Sequence, residues 1–173
     1  MATVLFHTTM SLDGFTTAAG GDMSWLADHA GGGNPTVTDL LGRIGSVLLG
    51  GRTWRGDGGA ASDEGKPYGG AITVPQVVLT SRPPAAAVPG VEFAADLGAA
   101  IAAARRAAGD RYGAVLGAET ARSCLAAGEL DEVLVHVAPV LLGDGVPLFR
   151  QPGGEKVRLE QLSVTHTARV TNL

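Results

Sequence analysis

Residues 113–149, GAVLGAETARSCLAAGELDEVLVHVAPVLLGDGVPLF, constrain the fold of this chain more than any other stretch. An apolar run over 112–116 ends in Gly117 and passes straight into a helix-forming segment over 119–127, which Gly128 stops. A second apolar run follows over 131–138, then a Gly-Asp-Gly loop at 143–145. Both faces of that second run are largely apolar, as expected of a strand inside a sheet. A strand that ends in glycine and feeds a helix N-terminus can hold a phosphate, because the first backbone amides of the helix have no partner within it.

The remainder of the chain repeats the theme. An apolar, β-branched strand is expected over 4–10, ending at Leu12-Asp13-Gly14. Residues 16–34 read as loop, with one short helix near 23–29. Asn34-Pro35 opens a helix to about residue 44, capped by Asn34, with Leu40, Leu41 and Ile44 on one face. Strands are expected over 46–49, 76–80 and 91–93, with a Gly-rich charged loop over 55–70. Asp96 caps a helix to residue 108 that places Arg105 and Arg106 at its C-terminal end. Residues 158–173 suggest one or two antiparallel strands. Strands alternating with helices, closed by a β-rich end, predict an α/β fold. It has a mixed, mainly parallel central sheet, helices on both faces and an antiparallel C-terminal hairpin. No internal repeat or second domain is apparent, so residues 1–173 read as one domain.

Composition narrows the function. With 45% hydrophobic residues the chain can bury a substantial core. A net charge of −4 and the lack of any Lys/Arg run argue against nucleic-acid binding. One cysteine, Cys124, permits neither an internal disulfide nor a multi-cysteine metal site, and suits a reducing cytoplasm. No basic N-terminal signal and no membrane-length apolar run are present. The four histidines have no metal spacing, and no nucleophile elbow surrounds Ser123 or Cys124, so neither a metal centre nor hydrolase chemistry is expected.

Three strand ends carry phosphate-type residues. Gly50-Gly51-Arg52-Thr53 follows a buried strand and is either a phosphate-approaching turn or a plain glycine turn with a solvated arginine. Thr80-Ser81-Arg82 ends the next strand; Arg82 suits the extra phosphate of NADPH, though a surface arginine before Pro83-Pro84 needs no function. Gly117-Ala118-Glu119-Thr120 opens the helix described above, with Glu119 an awkward acid beside any phosphate. Three such ends in one small α/β chain outweigh any one, since ligands lie at the carboxyl ends of strands. Asp13 either orients a substrate and relays a proton or simply makes an Asp-Gly turn, and on residue type alone the turn is favoured.

Taken in order, Met10-Ser11-Leu12-Asp13-Gly14-Phe15, Leu49-Gly50-Gly51-Arg52-Thr53-Trp54, Val78-Leu79-Thr80-Ser81-Arg82-Pro83-Pro84 and Pro139-Val140-Leu141-Leu142-Gly143-Asp144-Gly145 resemble a known family. It is the dihydrofolate-reductase-like family typified by the C-terminal reductase domain of the bifunctional riboflavin-biosynthesis deaminase-reductase, and in particular its stand-alone bacterial members. The resemblance spans nearly the whole chain. It implies NADPH as cofactor, with Gly50, Gly51, Arg52 and Thr53 lining it. Thr80, Ser81 and Arg82 would hold the adenosine-side phosphate, and Gly117, Ala118, Glu119 and Thr120 would meet the pyrophosphate. It further places Asp13 near nicotinamide and substrate, Leu142, Gly143 and Asp144 beside the substrate cleft or a dimer contact, and the chain in a homodimer. Family members usually carry a second glycine where Ala118 stands, so the Ala118 methyl is expected to crowd the pyrophosphate. The reaction implied is NADPH-dependent hydride transfer to a small pterin- or ribosylaminopyrimidine-like heterocycle. The competing reading is a non-catalytic nucleotide-binding or dimeric scaffold in which Ala118 and Glu119 mark weakened cofactor affinity.

Overall fold

A computed structural model describes residues 2–29, 33–55, 66–150 and 152–173. The expected 55–70 loop lies mostly outside the described residues, as does part of the 16–34 loop. Strands β1 (Thr3–Ser11), β3 (Ile44–Gly50), β4 (Gln76–Leu79), β5 (Val91–Ala94), β6 (Tyr112–Leu116), β7 (Glu132–Ala138), β9 (Thr165–His166) and β10 (Thr171–Asn172) form one eight-stranded sheet. Its order is β5-β4-β3-β6-β1-β7-β10-β9. Every pair is parallel except the antiparallel β10 and β9. Between the strands run α1 (Pro35–Arg43), α2 (Gly51–Trp54), α3 (Leu97–Ala108) and α4 (Ala118–Ala126).

The period of two along β1 divides the core between two layers. Val4 and Phe6 face α3 and α4, joining Val115, Ala104, Ala121 and Cys124. Leu5 faces the opposite way, with Leu40 from α1, Ile44 and Val47 from β3, Val78 and Tyr68. Alanine dominates the inward face of α3 (Ala100, Ala103, Ala104, Ala108), which lets that helix lie close to the sheet. The Ala108 carbonyl is near enough that a Cβ on Gly45 would stand 2.5 Å from it. Caps occur where expected: Asn34 accepts from Thr36 N–H at 3.1 Å, and Asp96 from Ala99 N–H at 2.9 Å.

Three elements differ from expectation. The Gly51–Trp54 turn is a short helix, α2. The Gly-Asp-Gly loop continues into β8 (Gly145–Pro147), which pairs antiparallel with β2 (Phe15–Ala18) as a separate two-stranded ribbon. The antiparallel strands expected over 158–173 shrink to β9 and β10, and residues 154–164 join no sheet.

That ribbon explains part of the Gly-Asp-Gly motif as a folding requirement. Gly145 has φ 146°, and a Cβ there would fall 1.8 Å from the Thr17 carbonyl oxygen. Gly143 also has positive φ, 76°, but open space around it. Replacing Gly145 by alanine is therefore expected to cost roughly 2–3 kcal/mol through overpacking and backbone strain. Gly143→Ala should cost only about 1 kcal/mol, from backbone conformation alone. Urea unfolding of both variants measures the difference, and equal costs would show that the ribbon yields to the added methyl.

Candidate active site

Strands β4, β3, β6, β1 and β7 are neighbours in the sheet and run parallel, so their C-terminal ends form one row. Every candidate residue except Gly50, the last of β3, and the α2 and α4 helical ones sits in a loop on that row, and those helices begin there. The three glycine and hydroxyl turns meet. A Cβ on Gly51 would lie 2.8 Å from Thr80 Oγ1, one on Gly50 3.1 Å from Thr120 Oγ1, and one on Gly117 3.0 Å from Thr53 Oγ1. Glycine is thus the residue that lets these segments approach, and three threonine hydroxyls line the junction. Gly117 caps α4 at φ 95° without a side-chain hydrogen bond, and the first amide bonded back into the helix is Ala121 N–H to the Gly117 carbonyl. The earlier amides of that first turn are free to meet an anion.

Two residues of this turn behave differently from expectation. The Ala118 side chain is 8% exposed and packs in the core layer with Val115, Ala121 and Cys124. Its methyl group points into that core, which corrects the expectation that it crowds a phosphate. Glu119 does stand at the mouth, where Arg52 from α2 donates to its carboxylate across an exposed ion pair. Arg82 is exposed beyond β4; its backbone N–H donates to Thr80 Oγ1 at 3.1 Å, and its guanidinium has no bond among the described residues. Ser81 is exposed beside it.

Asp13 is a clamp between two rim loops. Its carboxylate accepts from Ser11 Oγ at 2.5 Å, from Gly143 N–H at 2.7 Å and from Leu142 N–H at 3.1 Å. Buried Ser11 also accepts from Phe15 N–H, so the turn is fixed from both sides. The Ser11 hydroxyl first, then the Gly143 and Leu142 amides, hold the Asp13 carboxyl below the usual carboxylate range. It is an acceptor at neutral pH. The Asp144 carboxylate accepts from the next residue, Gly145 N–H, at 2.7 Å. Thus the structure brings Asp13 together with Leu142 and Gly143, and separately gathers Gly50, Gly51, Thr53, Thr80, Gly117 and Thr120.

Sequence reasoning missed a polar chain beneath the rim of β1 and β7. His7 and His136, which have no metal spacing in the sequence, lie in β1 and β7. They share the face that carries α1, and their Nε2 atoms are 2.7 Å apart. His7 Nδ1 lies 3.1 Å from Tyr68 Oη, and His136 Nδ1 lies 2.6 Å from Asn172 Oδ1. Asn172 exchanges amide hydrogen bonds with Asn34, the cap of α1. Every proton in this chain has an assigned place. Thr36 N–H can only donate, so Asn34 Oδ1 accepts and Asn34 Nδ2 donates to Asn172 Oδ1. That oxygen also accepts from His136 Nδ1–H, which leaves His136 Nε2 bare to accept from His7 Nε2–H. His7 Nδ1 then accepts from the Tyr68 hydroxyl. The signal was available only once the β1–β7 register, Thr9 opposite His136, was known.

A cavity of about 390 Å³ lined by Lys66, Pro67, Gly70, Ile72, Val74 and Gln76 opens at the opposite, N-terminal end of β4. None of the candidate residues line it, and the convergence of turns marks the site better than this hollow does. Among the described residues no His/Cys/Asp/Glu group could hold a metal, and no helix is long and apolar enough to cross a membrane.

Comparison with known proteins agrees with the fold. The RibD C-terminal domain family matches residues 2–173. A Shewanella sp. PV-4 protein ascribed to riboflavin biosynthesis is 24% identical, with a TM-score of 0.71 over 99% of this chain and 96% of that one. RibD of Acinetobacter baumannii gives 19% identity and a TM-score of 0.70, over 99% of this chain and 56% of its own. The Saccharomyces cerevisiae riboflavin biosynthesis reductase Rib7 gives 15% and 0.62, over 99% and 87%. At these identities the structures establish a shared fold. No curated protein matches with significance.

Burial, reinforced by the neighbouring His136, pushes the His7 imidazole down to about 3, and burial also lowers His136 despite its bond to Asn172. A group whose folded pKa is depressed costs stability as pH falls below its unfolded value, because only the unfolded chain then takes the proton. The loss begins near pH 6.5 and continues toward pH 3 for His7. From His7 alone, unfolding free energy at pH 5 should be about 2 kcal/mol lower than at pH 7. Urea unfolding across that range measures it, and the double variant His7→Leu/His136→Leu should flatten the profile. Nitrogen NMR should find the proton on Nε2 of His7 and on Nδ1 of His136; the reverse tautomers would refute the assigned direction.

Proposed function

We propose that this chain, which belongs to the RibD C-terminal domain family, is an NADPH-dependent reductase of a small pterin- or ribosylaminopyrimidine-like heterocycle, acting as a homodimer in the cytoplasm. The family is that of the reductase domain of riboflavin biosynthesis enzymes. A Thermotoga maritima protein that shares the fold is a diaminohydroxyphosphoribosylaminopyrimidine deaminase/5-amino-6-(5-phosphoribosylamino)uracil reductase. This chain matches 55% of its length.

The observation that carries the reading is the single row of strand ends. From β4, which carries Arg82, to β7, which leads into Leu142 and Gly143, there are four strand spacings. At about 4.8 Å each this is roughly 19 Å, a length suited to an extended dinucleotide with a second ligand at its end. The residues along the row fit that ligand. Arg82 offers an uncommitted guanidinium for the extra phosphate, and the α4 amides with the Gly50, Gly51 and Gly117 turns form a cradle for the pyrophosphate. Thr53, Ser81, Thr80 and Thr120 add hydroxyl donors. When bound, NADPH supplies the hydride.

The chain's own residues orient and enclose. Asp13, as a carboxylate, fixes Leu142 and Gly143 at the substrate end, and its depressed pKa makes it an acceptor. As a carboxylate Asp13 has no proton to give, so the proton that accompanies hydride transfer would come from water or from another group near Asp13. Arg52, now paired with Glu119, would be available to a cofactor phosphate, with Glu119 as the competing anion.

Titrations of three proteins test this. The wild-type protein should bind NADPH more tightly than NADH by calorimetry, and binding of neither would favour the scaffold reading. Arg82→Ala should weaken NADPH binding by about 1.5–3 kcal/mol, the worth of hydrogen bonds to a charged group, and leave NADH unchanged. Equal effects on both cofactors would remove Arg82 from the phosphate-reading role. Glu119→Gln should tighten NADPH several-fold, by releasing Arg52 and removing a like charge. Weaker binding in that variant would mean that the pair organises the turn instead of competing for it.

A further inference from the structure

Among the described residues Tyr68 is the one non-glycine with a positive φ, at φ 57° and ψ 34°. A left-handed backbone is unfavourable at a bulky residue and persists only where the surroundings impose it. Gly69 and Gly70 follow at φ 63° and 80°, so three consecutive residues share this conformation. A glycine at position 68 would adopt it freely. What holds tyrosine there is its side chain. The phenol stacks on the His7 imidazole, with ring centroids 5.5 Å apart and planes 23° apart, and its hydroxyl lies 3.1 Å from His7 Nδ1.

The acceptor that Tyr68 meets is fixed from far away. Donors that start at Thr36 N–H run through Asn34, Asn172 and His136 and leave His7 Nδ1 bare. The whole chain thus presents one imidazole edge as an acceptor, and the Tyr68 hydroxyl is what uses it. His7 stands on β1 on the face that carries α1, beside Leu134 of β7, and Thr9 is the next side chain toward the rim on that face. β1 and β7 are also the strands whose rim loops Asp13 clamps together. His7, Thr9, Leu134 and Tyr68 all keep some exposed surface, so the seat of the phenol opens to solvent. The residues that flank Tyr68, namely Lys66, Pro67, Gly69 and Gly70, line the hollow of about 390 Å³, a volume in the range that holds a small ligand. The segment therefore has space to turn into.

We propose that Tyr68 is a place-holder. A planar heterocycle bearing an N–H donor takes its seat, stacking on His7 and donating to Nδ1, while Tyr68 turns out about Gly69-Gly70 toward the hollow. This rests on the substrate end proposed above and specifies how a substrate ring is recognised there. The exchange keeps the bonding of His7, since one flat ring with one donor replaces another, and it releases the strained backbone at Tyr68. It also selects among ligands. A ring that offers only acceptors or N-methyl groups leaves Nδ1 unpaired, and a site built to hydrogen-bond an N–H rejects the analogue that lacks it. Because the seat is closed in the resting protein, apparent affinity is reduced by the fraction of molecules that are open.

The probe is 6-aminouracil, with its fully N-methylated analogue beside it, titrated into the full chain by calorimetry and followed by proton NMR. On saturation of the wild type, the cross-peaks between the Tyr68 and His7 rings should vanish, and the methylated analogue should leave them in place. Tyr68→Gly empties the seat and suits the left-handed backbone, so it should bind the probe about tenfold more tightly than the wild type. Tyr68→Phe keeps the packing and loses only the hydroxyl, so it should fall between the two. The proposal is overturned by equal affinity in all three proteins, by ring cross-peaks that persist at saturation, or by no binding of the probe to any of them. An analogue that binds Tyr68→Gly as tightly as the probe does overturns the donor requirement and with it the role given to Nδ1. These titrations need no cofactor. A wild type that binds no NADPH overturns the reductase reading, whichever way the probe behaves.

Discussion

The backbone amide of Thr36 can only donate, and that one fact propagates through five side chains. It orients Asn34, which orients Asn172, which sets the tautomer of His136, then that of His7, and so the direction of the Tyr68 hydroxyl. The members come from α1, β10, β7, β1 and the turn before β4. A buried imidazole pair is tolerable only if both rings are neutral and every nitrogen is matched. The sheet register that brings His7 and His136 together and the cap that starts α1 are therefore mutually dependent. Tyr68 itself sits at φ 57°, a backbone conformation unusual for a bulky residue. Its stacking on His7 at 5.5 Å and its hydroxyl bond offset that strain. Burial pushes the Tyr68 hydroxyl up, so it stays a donor.

At the rim the governing constraint is close approach. Gly50, Gly51 and Gly117 each face a threonine hydroxyl at a distance no ordinary side chain would leave open. A larger residue at any of them would push apart turns that belong to different strands. Electrostatics at the same place is nearly balanced. Arg52 and Glu119 neutralise one another in an exposed pair of the kind usually worth under about 1 kcal/mol. A multiply charged phosphate can displace such a partner, whereas a buried pair would resist it.

Much of this was legible in the chain, for identifiable reasons. β1, β6 and β7 are apolar runs bounded by glycine or acid, and α1 and α3 carry Asn34 and Asp96 caps, so local chemistry and tertiary structure agree. The ordered glycine, hydroxyl and arginine turns could be placed because parallel strands put all their C-terminal ends on one edge. The β2–β8 ribbon was not legible, since β8 is three residues long and its pairing is set by contact across 130 positions. The inward direction of the Ala118 methyl depends on the phase of α4 against the core, and the His7–His136 contact depends on register. Neither has a local signature. The C-terminal segment 158–173 reads as one or two antiparallel strands, and only β9 and β10 within it pair. Between 157 and 164 the apolar positions change phase, Val157 and Leu159 against Leu162 and Val164, so no single face is specified for pairing.

Asp13 shows how one residue can satisfy two readings at once. The bland reading, a turn-forming Asp-Gly, is correct in that Asp13 sits in the turn after β1 and Gly14 has φ 90°. Yet the carboxylate spends its oxygens on Ser11 and on the two amides of the 142–143 loop, across more than 120 residues of sequence. Losing it would free the loop that follows β7 from the loop that follows β1, the two strands whose lower halves are locked by the histidine pair. The substrate end of the row is thus fixed at two heights, by a neutral chain within the sheet and by an ionised clamp at its rim. In the folded protein both locks persist on mild acidification, because burial keeps His7 neutral down to about pH 3 and the Asp13 carboxyl is held below the usual carboxylate range; acid first narrows the gap to the unfolded chain, whose histidines take the proton.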